Sequence, residues 1–336
     1  MGEGVLRAAL TILVCFFGML SLAAGMSLAE RKISAFIQER HGPNRVGPFG
    51  ILQPVADLIK FVFKEELIND TANPVLFRLA PAMAALPAIL TFAVLPFGFL
   101  DGKPIAVADL DVGLIYVLAI GSLSIYGIIL GGWASNNKYS LLGGMRASAQ
   151  MVSYELALVL SLIAVVAVSG HLNLGEIVLA QDHRWNIFVQ PVAGLIFLVT
   201  MFAETNRHPF DFAECEPELV GGFHTEYSGF RFALFFMGEY IAMIVMSGMM
   251  AVLFFGGCDV PFMDILETPW WAGALVMLAK MGFFLFLYLW VRWTLPRFRY
   301  DQLMWLGWRV LLPLALINLA VTGIVVAFSG PGEAAG

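Results

Sequence analysis

Five stretches of this chain contain no Asp, Glu, Lys or Arg: 8–29, 79–100, 112–137, 185–203 and 310–332. Each approaches or exceeds the roughly 20 apolar residues that carry a helix across a hydrocarbon core about 30 Å thick. Three further stretches qualify if one ionisable residue is allowed: 151–169 with Glu155, 232–258 with Glu239, and 270–291 with Lys280. In lipid a backbone must satisfy its own hydrogen bonds, and a long uninterrupted apolar run does so as a helix. The expected fold is an all-α polytopic membrane protein with about eight transmembrane helices, forming one membrane domain over 1–336.

Composition agrees with the runs. Only 13% of residues are charged and 60% are hydrophobic, too few charges to cover a water-soluble surface of this size. That excludes a soluble enzyme. The formal net charge of -6 argues against a nucleic-acid partner. Three cysteines, Cys15, Cys215 and Cys258, are too few and too scattered for a disulfide framework or a four-thiolate cluster. No pair of the five histidines suggests a bis-histidyl haem site, so the chain is expected to carry no redox centre of its own.

An even number of spans puts both termini on one side. Of the 19 Lys and Arg, 15 fall in 30–78, 138–146, 204–231 and 292–309 or at their edges. The positive-inside rule makes these the inward loops and puts both termini outside. Arg7, the first apolar run and the small residues Ala23 and Ala24 resemble a secretory signal. The basic pair Arg31 and Lys32 directly after that run favours an uncleaved helix instead. Gly127 and Gly131 form a G-x-x-x-G within the third span, which predicts close helix packing.

The inward loops hold most of the polar chemistry. In the first, Ile51, Leu52, Val55, Leu58, Ile59, Val62 and Phe63 recur at helical spacing, with Asp57, Lys60 and Lys64 off that face. This predicts an amphipathic helix lying in the interface. It would either seal the bundle or form the lip of a site for a lipid-soluble ligand. In the third inward loop, six of the chain's 25 acidic residues fall within 204–226. The D-x-D-x-D-G pattern of a calcium loop is missing there, and no Glu-x-x-His pair suggests a di-metal carboxylate site. Glu155, Glu204 and Glu239 are expected at a similar shallow depth on the inward face. Ionisable groups inside a membrane mark ion or proton paths unless they are snorkelling or salt-bridged. Lys280 is their expected basic partner or relay member.

Three long strings then carry a resemblance. The first inward loop reads Gln38-Glu39-Arg40-His41-Gly42-Pro43-Asn44-Arg45-Val46-Gly47, preceded by Ala29-Glu30-Arg31-Lys32 and followed by Leu52-Gln53-Pro54 with Asp57 and Lys60. The third reads Glu204-Thr205-Asn206-Arg207-His208-Pro209-Phe210-Asp211, then Glu214, Glu216, Glu218 and Glu226-Tyr227-Ser228-Gly229. The fourth reads Trp290-Val291-Arg292, then Pro296-Arg297-Phe298-Arg299-Tyr300-Asp301-Gln302-Leu303. In order and over nearly the whole chain, these resemble the H-subunit family of the proton-pumping NADH:quinone oxidoreductase, respiratory complex I. Its mitochondrial counterpart is the NADH dehydrogenase subunit 1 family. Arg309 stands where that family frequently has Lys.

The resemblance implies a non-redox membrane subunit that forms the quinone chamber and couples quinone reduction to proton translocation. It assigns Glu30, Arg31, Arg40, Arg45, Asp57, Lys60, Arg292, Arg297, Arg299 and Asp301 to the chamber. It assigns Glu155, Glu204, Glu214, Glu216, Glu226 and Glu239, with Lys280, to an acidic proton passage. No metal or catalytic redox group is implied on this chain. Quinone would be the substrate, with flavin and iron–sulfur clusters in partner subunits. Those partners would be the peripheral-arm quinone-site subunits and the small and antiporter-like membrane subunits, within membrane lipid. The implied location is the bacterial inner membrane, ahead of the mitochondrial one. Two other readings stay open: the membrane subunit of an energy-converting hydrogenase, and a stand-alone ion transporter. Ubiquinone and menaquinone are not distinguished.

Overall fold

The computed structural model describes residues 2–100, 102–182, 184–213, 216–260, 264–265 and 268–329, with the backbone alone at 2–10, 216–217 and 329. Its helices are α1 (Gly2–Ile37), α2 (Gln53–Phe63), α3 (Pro74–Phe92), α4 (Gly113–Ala134), α5 (Lys138–Ser169), α6 (Leu174–Leu179), α7 (Asn186–Val189) and α8 (Pro191–Glu204). There follow α9 (Glu216–Leu219), α10 (Gly229–Phe254), α11 (Trp270–Thr294), α12 (Tyr300–Trp305), a π-helical turn over Leu306–Leu311, and α13 (Leu312–Ser329). One two-residue hairpin, Phe99–Leu100 against Lys103–Pro104, joins α3 to α4.

Seven segments among the described residues are long and apolar enough to cross a membrane. The chain is a multi-pass membrane protein. The eighth expected span differs in form. Pro191 removes a backbone donor, and Gln190 adopts φ -126°, ψ 57°. The segment therefore breaks into the four-residue α7 and the 14-residue α8. Fourteen residues rise only about 21 Å, short of the roughly 30 Å core, so α8 ends inside the bundle.

Two expected loops are helical. Asn137 caps α5, its Oδ1 accepting from the Tyr139 amide at 2.9 Å. The helix therefore begins at Lys138 and absorbs the expected 138–146 loop. At the other end of the first span, α1 continues to Ile37, so Glu30, Arg31 and Lys32 project from a helix rather than from a loop.

The centre of the bundle is formed by α3, α4, α5, α8 and α10, with α1, α11 and α13 outside them. The G-x-x-x-G expectation is met by contact. A Cβ on Gly127 would stand 2.4 Å from the Ala84 amide nitrogen, and one on Gly131 would stand 3.2 Å from the Phe235 ring. Glycine lets α4 lie directly on α3. Across from it, Gly307 in the π-helical turn lies against Tyr154. The Tyr154 hydroxyl donates to the Leu303 carbonyl at 3.0 Å, and the Trp308 indole donates to Ser153 at 3.1 Å. These bonds fasten the α12–α13 segment to α5.

Candidate functional site: two carboxylate groups at the end of a short helix

The site is organised by the way α8 stops. Asn206 takes a left-handed conformation, φ 50°, a position where Asn is the usual substitute for Gly. The Arg207 amide donates to Phe202 O (3.2 Å), and the Asn206 amide donates to Ala203 O (3.3 Å). These are the two bonds of a Schellman termination. Because α8 ends among other helices, its remaining carbonyls need partners from outside the helix. The Tyr288 hydroxyl donates to Met201 O at 2.9 Å, and Gln150 Nε2 donates to Ala203 O at 2.8 Å and to Asn206 Oδ1 at 3.2 Å. Thr205 is 3% exposed and Arg207 8%, so the irregular backbone after α8 is shielded by protein.

Glu204 is the last helical residue. With Glu155 and Ser122 it lines a cavity of about 30 Å³, otherwise walled by Val117, Leu118, Gly121, Leu158, Leu162, Phe197, Met246 and Met249. That volume holds about one water molecule. Ser122 donates a hydrogen bond to Glu155. Glu204 Oε2 is shut off from the surface and bonds to no described protein group. No basic side chain lines this cavity. Ser122 is residue 10 of the 22-residue α4, and Glu155 is residue 18 of the 32-residue α5. This pair lies midway along the helices. Glu239 is likewise residue 11 of the 26-residue α10.

Glu239 belongs to a second group. It is ion-paired with Arg207, whose Nη1 donates to Glu30 Oε1 at 3.1 Å. Arg292 from α11 also pairs with Glu30. The Tyr240 hydroxyl donates to Glu30 Oε2 at 2.8 Å, while the Arg207 guanidinium lies 4.9 Å from the Tyr240 ring centroid. Two carboxylates and two guanidiniums thus join α1, α10, α11 and the loop after α8.

The expected interfacial helix is α2. None of its residues is buried, and Val55, Leu58, Ile59 and Val62 are each more than half exposed. Its polar face is anchored: Asp57 accepts from Arg31 at 2.6 Å and from Lys60 and Gln53 at 3.3 Å. Burial works to raise the Asp57 pKa, but the hydrogen bonds and charges of Arg31 and Lys60 outweigh it and hold the carboxyl below its ordinary value. A depressed carboxylate stabilises the fold above its unfolded pKa. The α1–α2 contact therefore loses this support only as pH falls through that depressed value. An apolar groove of about 470 Å³ runs between α1 and α11, from Gly18 and Gly282 to Ile33. At its inward end it lies next to the helix turn that holds Glu30 and Arg31.

The other expected residues are spread around this centre. Arg297 donates to Asp211 at 2.9 Å, with His208 Nε2 3.0 Å from the same oxygen. Arg299 and Asp301 pair at 3.2 Å but are 80% and 68% exposed. The Arg40 side chain donates to Gln38 at 2.7 Å, and Arg45 is exposed. Glu226 accepts from Asn137 at 2.6 Å. Glu214 lies outside the described residues, as does the side chain of Glu216.

Lys280 stands apart from the carboxylates it was expected to partner. Its Nζ donates to Phe255 O at 2.7 Å and Asp259 O at 2.9 Å, and lies 4.7 Å from the Trp185 ring centroid. It closes the far end of α10 at Phe254. About 15 residues, or about 22 Å of helix rise, separate that end from Glu239. Antiparallel packing of α10 and α11 brings Lys280 opposite Phe255, which its mid-span position in sequence did not reveal. At the same end of α10 Cys258 is 2% exposed, and burial pushes its thiol up to about 11.

Tyr240, Ser122 and the paired Glu66–Arg231 (2.9 Å) were not singled out from sequence, and Arg207, His208, Asp211 and Glu218, which pairs with Arg146 at 2.5 Å, stood in the quoted strings without a role of their own. For Arg207 a signal existed: the residue just past a left-handed helix end such as Asn206 is usually apolar, and here it is charged. Ser122 had none, since it lies unmarked in a charge-free run. Among the described residues no group of three or more His, Cys, Asp or Glu is arranged to hold a metal ion.

Comparison with known proteins adds an independent line. The NADH dehydrogenase family model matches residues 10–323. An NADH-quinone oxidoreductase H subunit of Geobacter metallireducens is 54% identical over 320 residues, 94% of this chain and 95% of that protein. An H subunit of the same enzyme from Cytophaga hutchinsonii is 48% identical over 334 residues, covering 96% and 98%. NADH-quinone oxidoreductase subunit 8 of Rhodothermus marinus is 49% identical over 335 residues, covering 94% and 97%. With its apolar helices, its polar cluster at the end of α8 and more than nine-tenths of its length aligned with these proteins, the chain belongs to the NADH dehydrogenase family and is a membrane subunit of an NADH-quinone oxidoreductase.

Proposed function

We infer that this chain forms the quinone chamber of its NADH:quinone oxidoreductase and relays quinone reduction as protonation. The observation that carries this reading is the placement of two unlike carboxylate groups at the end of α8. One, Glu30 with Glu239, is compensated by arginines and reaches α1 and α11. The other, Glu155 with Glu204, has no basic neighbour in its cavity. A headgroup beside the first would alter the field at the second without touching it.

The exposed apolar face of α2 and the groove between α1 and α11 suit an isoprenoid tail arriving from lipid. Arg31, Asp57 and Lys60 brace α2, while Arg40, Arg45, Arg297, Arg299 and Asp301 border the docking side of the chamber. Glu214, Glu216 and Glu226 extend the acidic passage. Redox chemistry belongs to partner chains carrying flavin and iron–sulfur clusters, and small and antiporter-like membrane subunits continue the proton route. A photoreactive quinone added to the assembled enzyme should label peptides within 30–63 and 282–297, and excess quinone should suppress that labelling. Exclusive labelling of α13 or α5 would remove the chamber from this chain.

The orientation is that of a bacterial inner-membrane protein with its basic loops in the cytoplasm; with the α7–α8 segment and the loop after it counted as an eighth crossing, both termini lie outside. Cys258 is too buried to report it, so an exposed outer position is needed. Asp111→Cys should react with an impermeant maleimide on right-side-out cells, whereas Arg40→Cys should not. The opposite pattern would invert the topology.

A further inference from the structure

We propose that Arg207 is a positioning residue of the acidic passage: one guanidinium spans Glu30 of α1 and Glu239 of α10 and ties both to the helix end that carries Glu204. The inference deepens the proposed function and rests on that reading.

The chain places Arg207 with little freedom. It directly follows the left-handed residue of a Schellman-terminated helix, with its own amide bonded to Phe202 O at 3.2 Å. That position commonly holds an apolar residue packed back on its helix. Here the side chain turns to two acids. Arg is suited to this because it stays charged and presents donors on several sides of a rigid plane. Nη1 reaches Glu30, Nε reaches Glu239, and Tyr240 lies beneath the plane. The Tyr240 hydroxyl also donates to Glu30, and Arg292 supplies the second cation.

The short segment between Glu204 and Arg207 is anchored residue by residue. Thr205 Oγ1 lies 3.4 Å from the Tyr288 hydroxyl of α11, and Asn206 bonds Gln150 of α5. A displacement of Arg207 relative to its two acids is therefore passed to the Glu204 side chain through a short run of fixed backbone. It also changes the charge balance of Glu30 and Glu239. With Arg207 in place both acids face its guanidinium. With it removed, Glu239 loses its ion-pair partner in this group and Glu30 keeps Arg292 alone.

The test uses the assembled enzyme carrying Arg207→Lys, Arg207→Met and the double variant Arg207→Met/Glu239→Gln. Lysine keeps the charge but has a single nitrogen and cannot span two acids as a fork. Arg207→Lys should assemble and lose at least roughly tenfold in quinone-linked kcat, as misplacement of a relay group does, with KM for a soluble quinone changed less than about twofold. In Arg207→Met the infrared spectrum should gain a protonated-carboxyl C=O band that wild type lacks. The double variant should lose that band. If Arg207→Met fails to assemble, Arg207→Lys supplies the kinetic readout by itself. Wild-type kcat in Arg207→Lys, or a band unaffected by Glu239→Gln, would overturn the assignment. Glu204→Gln is the separate control. If it and Glu155→Gln are both silent, the passage reading fails; if it is inactive while Arg207→Lys is not, only the role of Arg207 fails.

Discussion

Glu204→Gln is expected to yield an enzyme that assembles normally and loses roughly a hundredfold in quinone-linked turnover and proton uptake, the scale at which a proton-transferring group acts. Glutamine has nearly the size of glutamate, and Glu204 Oε2 makes no hydrogen bond to a described protein group, so its replacement breaks little. The end of α8 is held by Tyr288, Gln150 and the Schellman bonds of its backbone. None of these involves the Glu204 side chain. What is lost is a titratable group. Two unit charges about 10 Å apart interact by roughly 1.7 kcal/mol at an effective dielectric near 20. That shifts a protonation equilibrium by somewhat more than tenfold, enough to load or unload a proton when charge changes at the quinone. Glu155→Gln should behave alike, because the same cavity and Ser122 hold it. Turnover and proton uptake are to be measured on the purified, intact complex. Wild-type values in both variants would end the relay hypothesis, and failed assembly would mean that the carboxylates are structural.

Glu30→Ala should have the opposite character: loss of assembly and stability rather than of turnover alone. Glu30 is 7% exposed and faces Arg207, Arg292 and the Tyr240 hydroxyl. Removing one member of a buried ion-pair group leaves uncompensated charge and costs about 3–5 kcal/mol. Here two guanidiniums lose a shared carboxylate, and α1 loses its main polar tie to α10 and α11. A further cross-link from α1 to α11 is the Trp293 indole donating to Ser34 at 2.9 Å. Thermal unfolding of the complex in mild detergent, together with the yield of assembled enzyme, measures this. Glu30→Gln keeps hydrogen-bond acceptance on one atom and should fall between wild type and Glu30→Ala. Unchanged stability in Glu30→Ala would show that lipid or a partner subunit compensates the two arginines.

The contrast between these two carboxylates was not legible in the chain. Both lie at the edge of an apolar run beside basic residues, and both belong to strings shared with the family. Sequence placed them in different functional groups only through that resemblance. The structure separates them by what they touch: Glu30 meets two arginines, and Glu204 meets an uncharged cavity wall apart from Glu155. Asp57 was legible as part of the polar face of α2, where its partners Lys60 and Gln53 also lie; its bond to Arg31 of α1 was not. Lys280 was misplaced because its mid-span position says nothing about where the neighbouring antiparallel helix ends.

The amino-acid sequence by itself determined the membrane class, the apolar segments, the amphipathic α2 and the loops in which the polar chemistry gathers. These follow from local properties: the cost of charge in hydrocarbon, the 3.6-residue period and the bias of Lys and Arg between loops. Tertiary structure alone decided that α8 stops partway, that Glu155 and Glu204 share one cavity, and that Arg207 joins two acids from helices 177 and 32 residues away in the chain (207 less 30, and 239 less 207). The physical reason is that a buried charge is governed by its nearest neighbours in a low dielectric, and those neighbours come from helices whose order along the chain carries no record of their contacts.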